Sequence, residues 1–406
     1  MIETTTVWPS FPLGDVCRTT SGGTPSRKRA DYFQGDIPWV KSGELTDGLV
    51  SEVSEFITEE AVANSSAKLF PLGTLLIAMY GATVGKLGIL AKPAATNQAV
   101  CAIFPPPELD SKFLFWFLRF KRSYLIDQAV GGAQPNISQS ILRELMVPVP
   151  PIDVQRETVA EIEKQFSRLD EAVANLQRVK ANLKRYKASV LKAAVEGRLV
   201  ETEGGWLQLK LGEIALSVRN GYSHKPDAES GTRIFRISAV RPMELAADDV
   251  RFLSGKPADY DNFLAAAGDV LFTRYNGSRD YVGVCAVVPK GLPPTVYPDK
   301  LIRVRVPQDK LLPAFLVIAA STGEGRGFIE SVIRTTAGQS GVSGTDIKAI
   351  PVSLPSMSEQ VRIVAEVDRH LSVIREVEAD VDANIQRAQA LRQATLAKVV
   401  MSRPTA

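Results

Sequence analysis

From Val159 onward, apolar residues recur at Val159, Ile162, Phe166, Leu169, Val173, Leu176, Leu183 and Val190, stepping 3-4-3-4-3 and then by sevens. Lys180 and Lys187 occupy the two interrupted positions. A second run repeats the pattern at Val364, Val367, Leu371, Ile374, Val381, Ile385 and Ala388. Neither run contains proline, and Gly197 and Pro404 stand where helices stop. This is a heptad seam, and it predicts two helices of roughly 40 residues, each about 60 Å long. Elsewhere the pattern changes to short β-rich runs broken by Gly- and Pro-bearing turns. IPWV (37–40), TLLIAMY (74–80), AVCAIF (99–104), IFRI (234–237), DVLFTRY (269–275) and LIRVRV (301–306) are the clearest. A helical stretch closes each β-rich region, KFLFWFLRF (112–120) and PAFLVIAAS (313–321).

The chain begins twice. WPSFPLGDV (8–16) and WLQLKLGEI (206–214) share a Trp and a Leu-Gly-acid-aliphatic string at the same gap. A shift of 205 lays Pro150, Gln155, Val159, Ala160, Glu161, Leu191 and Arg198 on Pro355, Gln360, Val364, Ala365, Glu366, Leu396 and Arg403. The same shift pairs residues 133–138 with 338–343, and a shift near 195 pairs GTLLIAMYG (73–81) with GDVLFTRYN (268–276). The order is therefore module, long helix, module, long helix, with a period far beyond that of a solenoid repeat. The expected fold class is α+β, with an internal pseudo-twofold repeat. Two β-rich globular domains, 1–150 and 201–354, are separated by two long helices, 151–200 and 355–406, packed as an antiparallel coiled coil.

Charge supplies the antiparallel sense. Residues 178–198 are basic, with Glu196 the lone acid, whereas residues 359–382 are predominantly acidic. Antiparallel pairing sets the basic end of one helix beside the acidic start of the other. The competing accounts are an intermolecular pair and a plain answer to each helix macrodipole. The net charge of +3 does not single out an anionic partner. Cys17, Cys101 and Cys285 lack metal-ligand spacing, and their odd number argues against a disulfide framework, so a reduced, cytoplasmic protein is expected. No apolar run is long enough to span a bilayer, and the N-terminus does not read as a signal peptide.

SGGTPSR (21–27), GDIPWVKSGEL (35–45), GTLLIAMYGATVGKLGI (73–89), TNQAV (96–100), PNIS (135–138), PVPPIDVQ (148–155) and LKAAVEGRLV (191–200) follow in order. Together with the duplicated architecture they resemble the specificity subunit of a type I restriction–modification system, along essentially the whole chain. The resemblance implies that each module is a target recognition domain reading one half of a bipartite, asymmetric double-stranded DNA site. The implied partners are two methyltransferase subunits and the restriction/translocase subunits. S-adenosylmethionine, ATP and Mg are expected on those partners, and this chain is expected to be non-catalytic, with no cofactor or metal of its own. The second module departs from the pattern, offering GYSHKPD (221–227) and RIFRISAV (233–240) in place of GGTP and IPWVKSGEL. Two rivals stay open: the recognition fragment of a fused restriction–methylation enzyme, and a coiled-coil adaptor without DNA specificity.

Basic and polar residues on turns are the candidate DNA contacts. Arg is suited to guanine, Asn and Gln to adenine, and Lys to phosphate. In module one these are Arg27, Lys28, Arg29, Lys41, Ser42, Tyr80, Thr83, Lys86, Gln134 and Asn136. In module two they are Tyr222, His224, Lys225, Arg274, Tyr275, Asn276, Ser278, Arg279 and Gln339. The bland alternative for each is a solvated loop, or a helix cap for the residues before 141 and 346. Trp8, Trp39 and Trp206 are expected in the core. FLVIAASTGEGRGF (315–328) imitates a strand followed by a Gly-rich nucleotide loop, but its counterpart FLFWFLRFKRSYL (113–125) has no glycine and reads as helix.

Overall fold

The computed structural model describes residues 8–129, 136–336 and 338–401. It divides into two compact units. One runs to Leu176 and resumes at Ala383; the other spans Gln177–Asp382.

In the first unit, strand Ser10–Pro12 pairs antiparallel with Met146–Pro148, so the module's entry and exit lie side by side. Leu13, directly after the entry strand, is fully buried, which accounts for the Leu-Gly string. A five-stranded sheet runs in the order Arg18–Ser21, Val100–Phe104, Leu75–Ala78, Leu87–Leu90, Gly48–Val50. A second sheet sets Ile37–Val40 between Phe56–Ile57 and Ala94–Thr96, with Leu69–Phe70 outermost. The unbroken apolar run of the central strands has a simple cause. Alternate side chains point to opposite faces, and both faces are covered. Leu75, Ile77, Cys101 and Ile103 enter one core, and Leu76, Ala78, Val100 and Ala102 another. Helix Ser111–Phe120 covers the first core and is capped by Asp110, whose carboxylate accepts the N–H groups of Lys112 and Phe113.

The second unit repeats this plan. Leu207–Lys210 pairs with Pro351–Leu354, and Leu211 is buried as Leu13 is. Its sheets are ordered Ser217–Asn220, Leu301–Arg305, Val270–Thr273, Cys285–Val287 and Val250–Leu253, Thr232–Phe235, Thr295–Val296. The divergent RIFRISAV proves equivalent to IPWVKSGE. Each is a strand followed by a 3₁₀ turn, Ser42–Glu44 in one module and Ile237–Ala239 in the other, so the strand expected through Ile237 stops at Phe235. FLVIAASTGEGRGF is helical throughout, as Pro313–Ser321 and Gly323–Val332.

The long helices are Ile152–Val195 and Met357–Met401. The first ends just before Gly197 (φ +68°), while Pro404 lies outside the described residues. Their pairing is antiparallel. In the second unit Lys180 Nζ meets Asp382 at 2.7 Å, and Tyr186 Oη lies 2.9 Å from His370 Nδ1. In the first unit Arg392 ion-pairs with Asp170, and Leu396 packs with Val159, Ile162 and Phe166. Val159, Ile162, Phe166, Val190, Val367, Leu371, Ile374 and Val381 are buried; Leu169, Val173, Leu176, Leu183 and Ile385 are half-buried. One position is shifted: Ile363 is fully buried and its neighbour Val364 only partly. The first turns of this helix pack into the module's own core, which selects Ile363. Among the described residues, no helix is long and apolar enough to cross a membrane.

A repeated device fixes each long helix to its module. Buried Gln155 accepts the Asp110 N–H at 2.7 Å and donates to the carbonyls of Glu108 (2.9 Å) and Pro150 (2.7 Å). Buried Gln360 accepts the Leu312 N–H at 2.8 Å and donates to those of Lys310 (2.9 Å) and Pro355 (3.0 Å). One amide thus satisfies three backbone groups that would otherwise be stranded.

Candidate nucleic-acid interface

In module one the SGGTP loop crosses the second sheet where no side chain fits. A Cβ on Gly22 would lie 2.0 Å from Thr96 Oγ1, and one on Gly23 would lie 2.2 Å from the Ser66 carbonyl carbon. Buried Trp39 locks the crossing by donating from Nε1 to the Gly23 carbonyl at 3.0 Å. Arg27 leaves this loop and covers the rings of Phe33 (4.2 Å) and Trp39 (5.1 Å) while pairing with Glu55 at 2.7 Å. Lys41 meets the same carboxylate at 2.8 Å. The hydrogen bond from Arg27, then that from Lys41, hold the Glu55 carboxyl below its ordinary range. Arg29 is taken up by Asp31 (2.5 Å) and Glu60 (3.1 Å), whereas Lys28 is exposed.

The YGATVGK turn is tied down as well. Thr83 donates to the Ser42 carbonyl at 3.0 Å, and Lys86 reaches Asp47 at 3.2 Å. Asp47 also accepts Arg122 and the Leu87 N–H. Tyr80, exposed, forms a β-bridge with exposed Asn136. Gln134 lies outside the described residues.

Module two builds the same corner from different side chains. A Cβ on Gly221 would lie 2.2 Å from the carbonyl oxygens of Tyr297 and Pro298. Tyr222 then turns inward against Tyr260 (5.2 Å), Phe263 (5.4 Å) and His224 (5.0 Å). Beside it opens a cavity of about 480 Å3 whose lining includes His224, Lys225, Arg236, Arg251, Asp299 and Lys300. Arg274 lies over the Tyr275 ring at 4.6 Å and donates to the Asp299 carbonyl at 3.4 Å; Lys300 approaches the same ring at 5.2 Å.

RYNGSRD is not the simple turn its composition suggests. Tyr275–Asn276 is a strand pairing with Gln339–Gly341, and Arg279–Tyr281 is a 3₁₀ turn. Asn276 accepts the Ser278 N–H at 3.0 Å, and Arg279 donates to the Glu330 carbonyl at 2.8 Å. Gln339 is exposed at the strand end, opposite Thr336.

The structure therefore brings the dispersed candidates to one corner of each module. Tyr80 meets Asn136, and Tyr275 meets Gly341. The members of these pairs are related by the two offsets, 195 and 205, already present in the repeat. The candidates differ in availability. Arg27, Arg29, Lys41 and Lys86 are engaged by carboxylates, Ser42 contributes a carbonyl to Thr83, and Asn276 caps its own turn. Arg236, Arg251 and Lys300 were not among the candidates. Arg251 belongs to a strand and Lys300 directly precedes one, so neither carries a turn signature. Trp206 is half-buried against Phe315, at 6.4 Å between rings.

A family model described as the type I restriction modification DNA specificity domain matches residues 6–185. The specificity subunit of the type I restriction enzyme EcoKI of Escherichia coli (strain K12) is 29% identical over 416 residues, covering 98% of this chain and 89% of that protein. The StySPI specificity subunit of Salmonella potsdam is 24% identical over 414 residues, with the same coverage of 98% and 89%. A chain from a study of complex assembly and conformational transition of the type I R-M system superposes with a TM-score of 0.76 at 18% identity, over 97% of both chains. The HsdS subunit from Thermoanaerobacter tengcongensis gives a TM-score of 0.60 at 18% identity, over 97% of this chain and 96% of that one. At such identities these two solved chains speak to the fold alone.

Proposed function

The chain belongs to the family of type I restriction enzyme specificity subunits, and from that premise we propose that it reads a bipartite, asymmetric DNA target, one half-site per module. The observation that carries this reading is the twin corner. In both modules a glycine crossing, the 3₁₀ turn after the strand, and the Tyr80 or Tyr275 bridge bring separate loops to one place. The scaffold is common and the side chains differ, as two unlike half-sites require. Arg274 and Gln339 in module two and Asn136 in module one are the groups suited to base edges. The lysines are suited to backbone phosphate.

The reaction itself falls to partners. Two methyltransferase subunits use S-adenosylmethionine to modify an adenine drawn out of the stack, while this chain holds the flanking duplex. ATP- and Mg-dependent restriction subunits complete the assembly, and the paired helices carry the docking surfaces. This chain contributes selection and no catalysis, and it works in the cytoplasm. Sequencing methylated adenines in cells with and without the chain tests the proposal. A two-part asymmetric motif should vanish with the chain; methylation that persists unchanged, or lacks a bipartite motif, sinks it.

A further inference from the structure

Equivalent strands of the two modules carry opposite charge at one position. Trp39 in module one is paired with Ala95 on one side, and on the other its N–H donates to the Glu55 carbonyl at 3.0 Å. Ile234 holds the same place in module two, paired with Val296 on one side and Arg251 on the other. Arg251 therefore stands where Glu55 stands. Lys41 and Arg236 also correspond, each lying between the strand and its 3₁₀ turn.

The consequence is a difference in free positive charge. In module one Glu55 neutralises Arg27 and Lys41 together. In module two Arg236 has Asp249 at 3.5 Å, but among the described residues Lys225, Arg251 and Lys300 form no ion pair. All three line the cavity of about 480 Å3 with His224, and Asp299 is its lining carboxylate. Phe235 and Ile237 give it an apolar wall. A water-filled, cation-lined cavity beside the Tyr275 strand fits a phosphate group.

We propose that this cavity of module two binds a DNA backbone phosphate and carries most of the electrostatic binding, whereas the equivalent cations of module one are spent on Glu55. The inference rests on the DNA-reading role above. Binding that neutralises phosphate releases counterions, so log K falls against log salt with a slope of about −0.9 per contact.

The full chain is titrated with duplex DNA, selected and shuffled, across a salt series. Replacing Arg251→Ala together with Lys300→Ala should reduce the magnitude of the slope by about two, one for each lost contact. Arg27→Ala with Lys41→Ala should change it by less than about half. Arg251→Glu, the module-one charge, should weaken binding further, and Arg251→Lys should restore the slope, which separates charge from a folding defect. A sequence-selective wild type whose slope is unmoved by the module-two pair overturns the inference and leaves the DNA-reading role intact. A wild type blind to sequence, with a slope still lowered by that pair, overturns the role and leaves the cavity as a phosphate site. Inorganic pyrophosphate supplies the last arm. If it saturates the cavity and duplex DNA does not displace it, the site serves a small polyanion and the inference fails.

Discussion

Asp47 shows how a charged residue inside a module differs from one available to a ligand. It sits at φ +67° with its carboxylate shared among Arg122, Lys86 and the Leu87 N–H. Burial raises its pKa, but the Arg122 hydrogen bond and the Leu87 N–H outweigh it, and the net shift is downward. A lowered pKa adds stability that is complete above the unfolded carboxylate range, about pH 4, and is lost as pH falls through the folded value. Asp47→Ala should therefore cost about 3 kcal/mol in neutral urea titrations, because two cations lose their partner. The gap to wild type should shrink in acid. Asp47→Asn should cost less, since Asn tolerates the left-handed backbone. The cysteines give a second check. Burial pushes Cys17 and Cys101 up to about 11 and Cys285 up to about 12. The folded protein should resist thiol alkylation at about pH 8, with all three sites labelled in denaturant and counted by mass spectrometry.

Between secondary-structure elements, the buried glutamines matter more than the ion pairs. Lys180–Asp382 is half exposed on both sides, so solvent screens most of its worth. Gln155 and Gln360 each hold three hydrogen bonds in a dry junction. Replacing either with Ala should destabilise its unit by about 2–4 kcal/mol, since each net bond is worth about 1 kcal/mol and the stranded backbone groups add their desolvation. Gln→Glu should be at least as costly, because an acceptor would then face two carbonyls. Differential scanning calorimetry on the full chain reads both, and equal losses at the two sites are expected from their matched geometry. The repeat already aligned these glutamines, yet their role was hidden: a polar residue in a helical heptad reads as solvent-facing. The seam was readable because apolar spacing is a local signal, and it erred only at Val364, where the module rather than the partner helix decides which side is buried.

For the whole molecule, the helices are the covalent connection between two readers. Deleting 173–179 together with 378–384 removes one heptad from each helix, about 10 Å of rise, and leaves the apolar register unchanged. Both half-site sequences should survive in methylation maps of cells expressing the variant. The preferred gap between them should shorten by up to about three base pairs at 3.4 Å each. An unchanged gap in an active variant would show that the helices do not set the spacing.

The duplication, the order of modules and helices, the heptads and the family resemblance are all properties of periodic spacing along the chain, and they could be read there. Which cations are free could not. Arg27 and Lys41 are quenched by a carboxylate on a separate strand, and Lys86 by one nearly forty residues earlier. Lys225, Arg251 and Lys300 come together from three segments. Hydrophobic periodicity acts between near neighbours, so it survives in one dimension. Ion pairing and cavity walls depend on sheet register, and register exists only once distant strands have met.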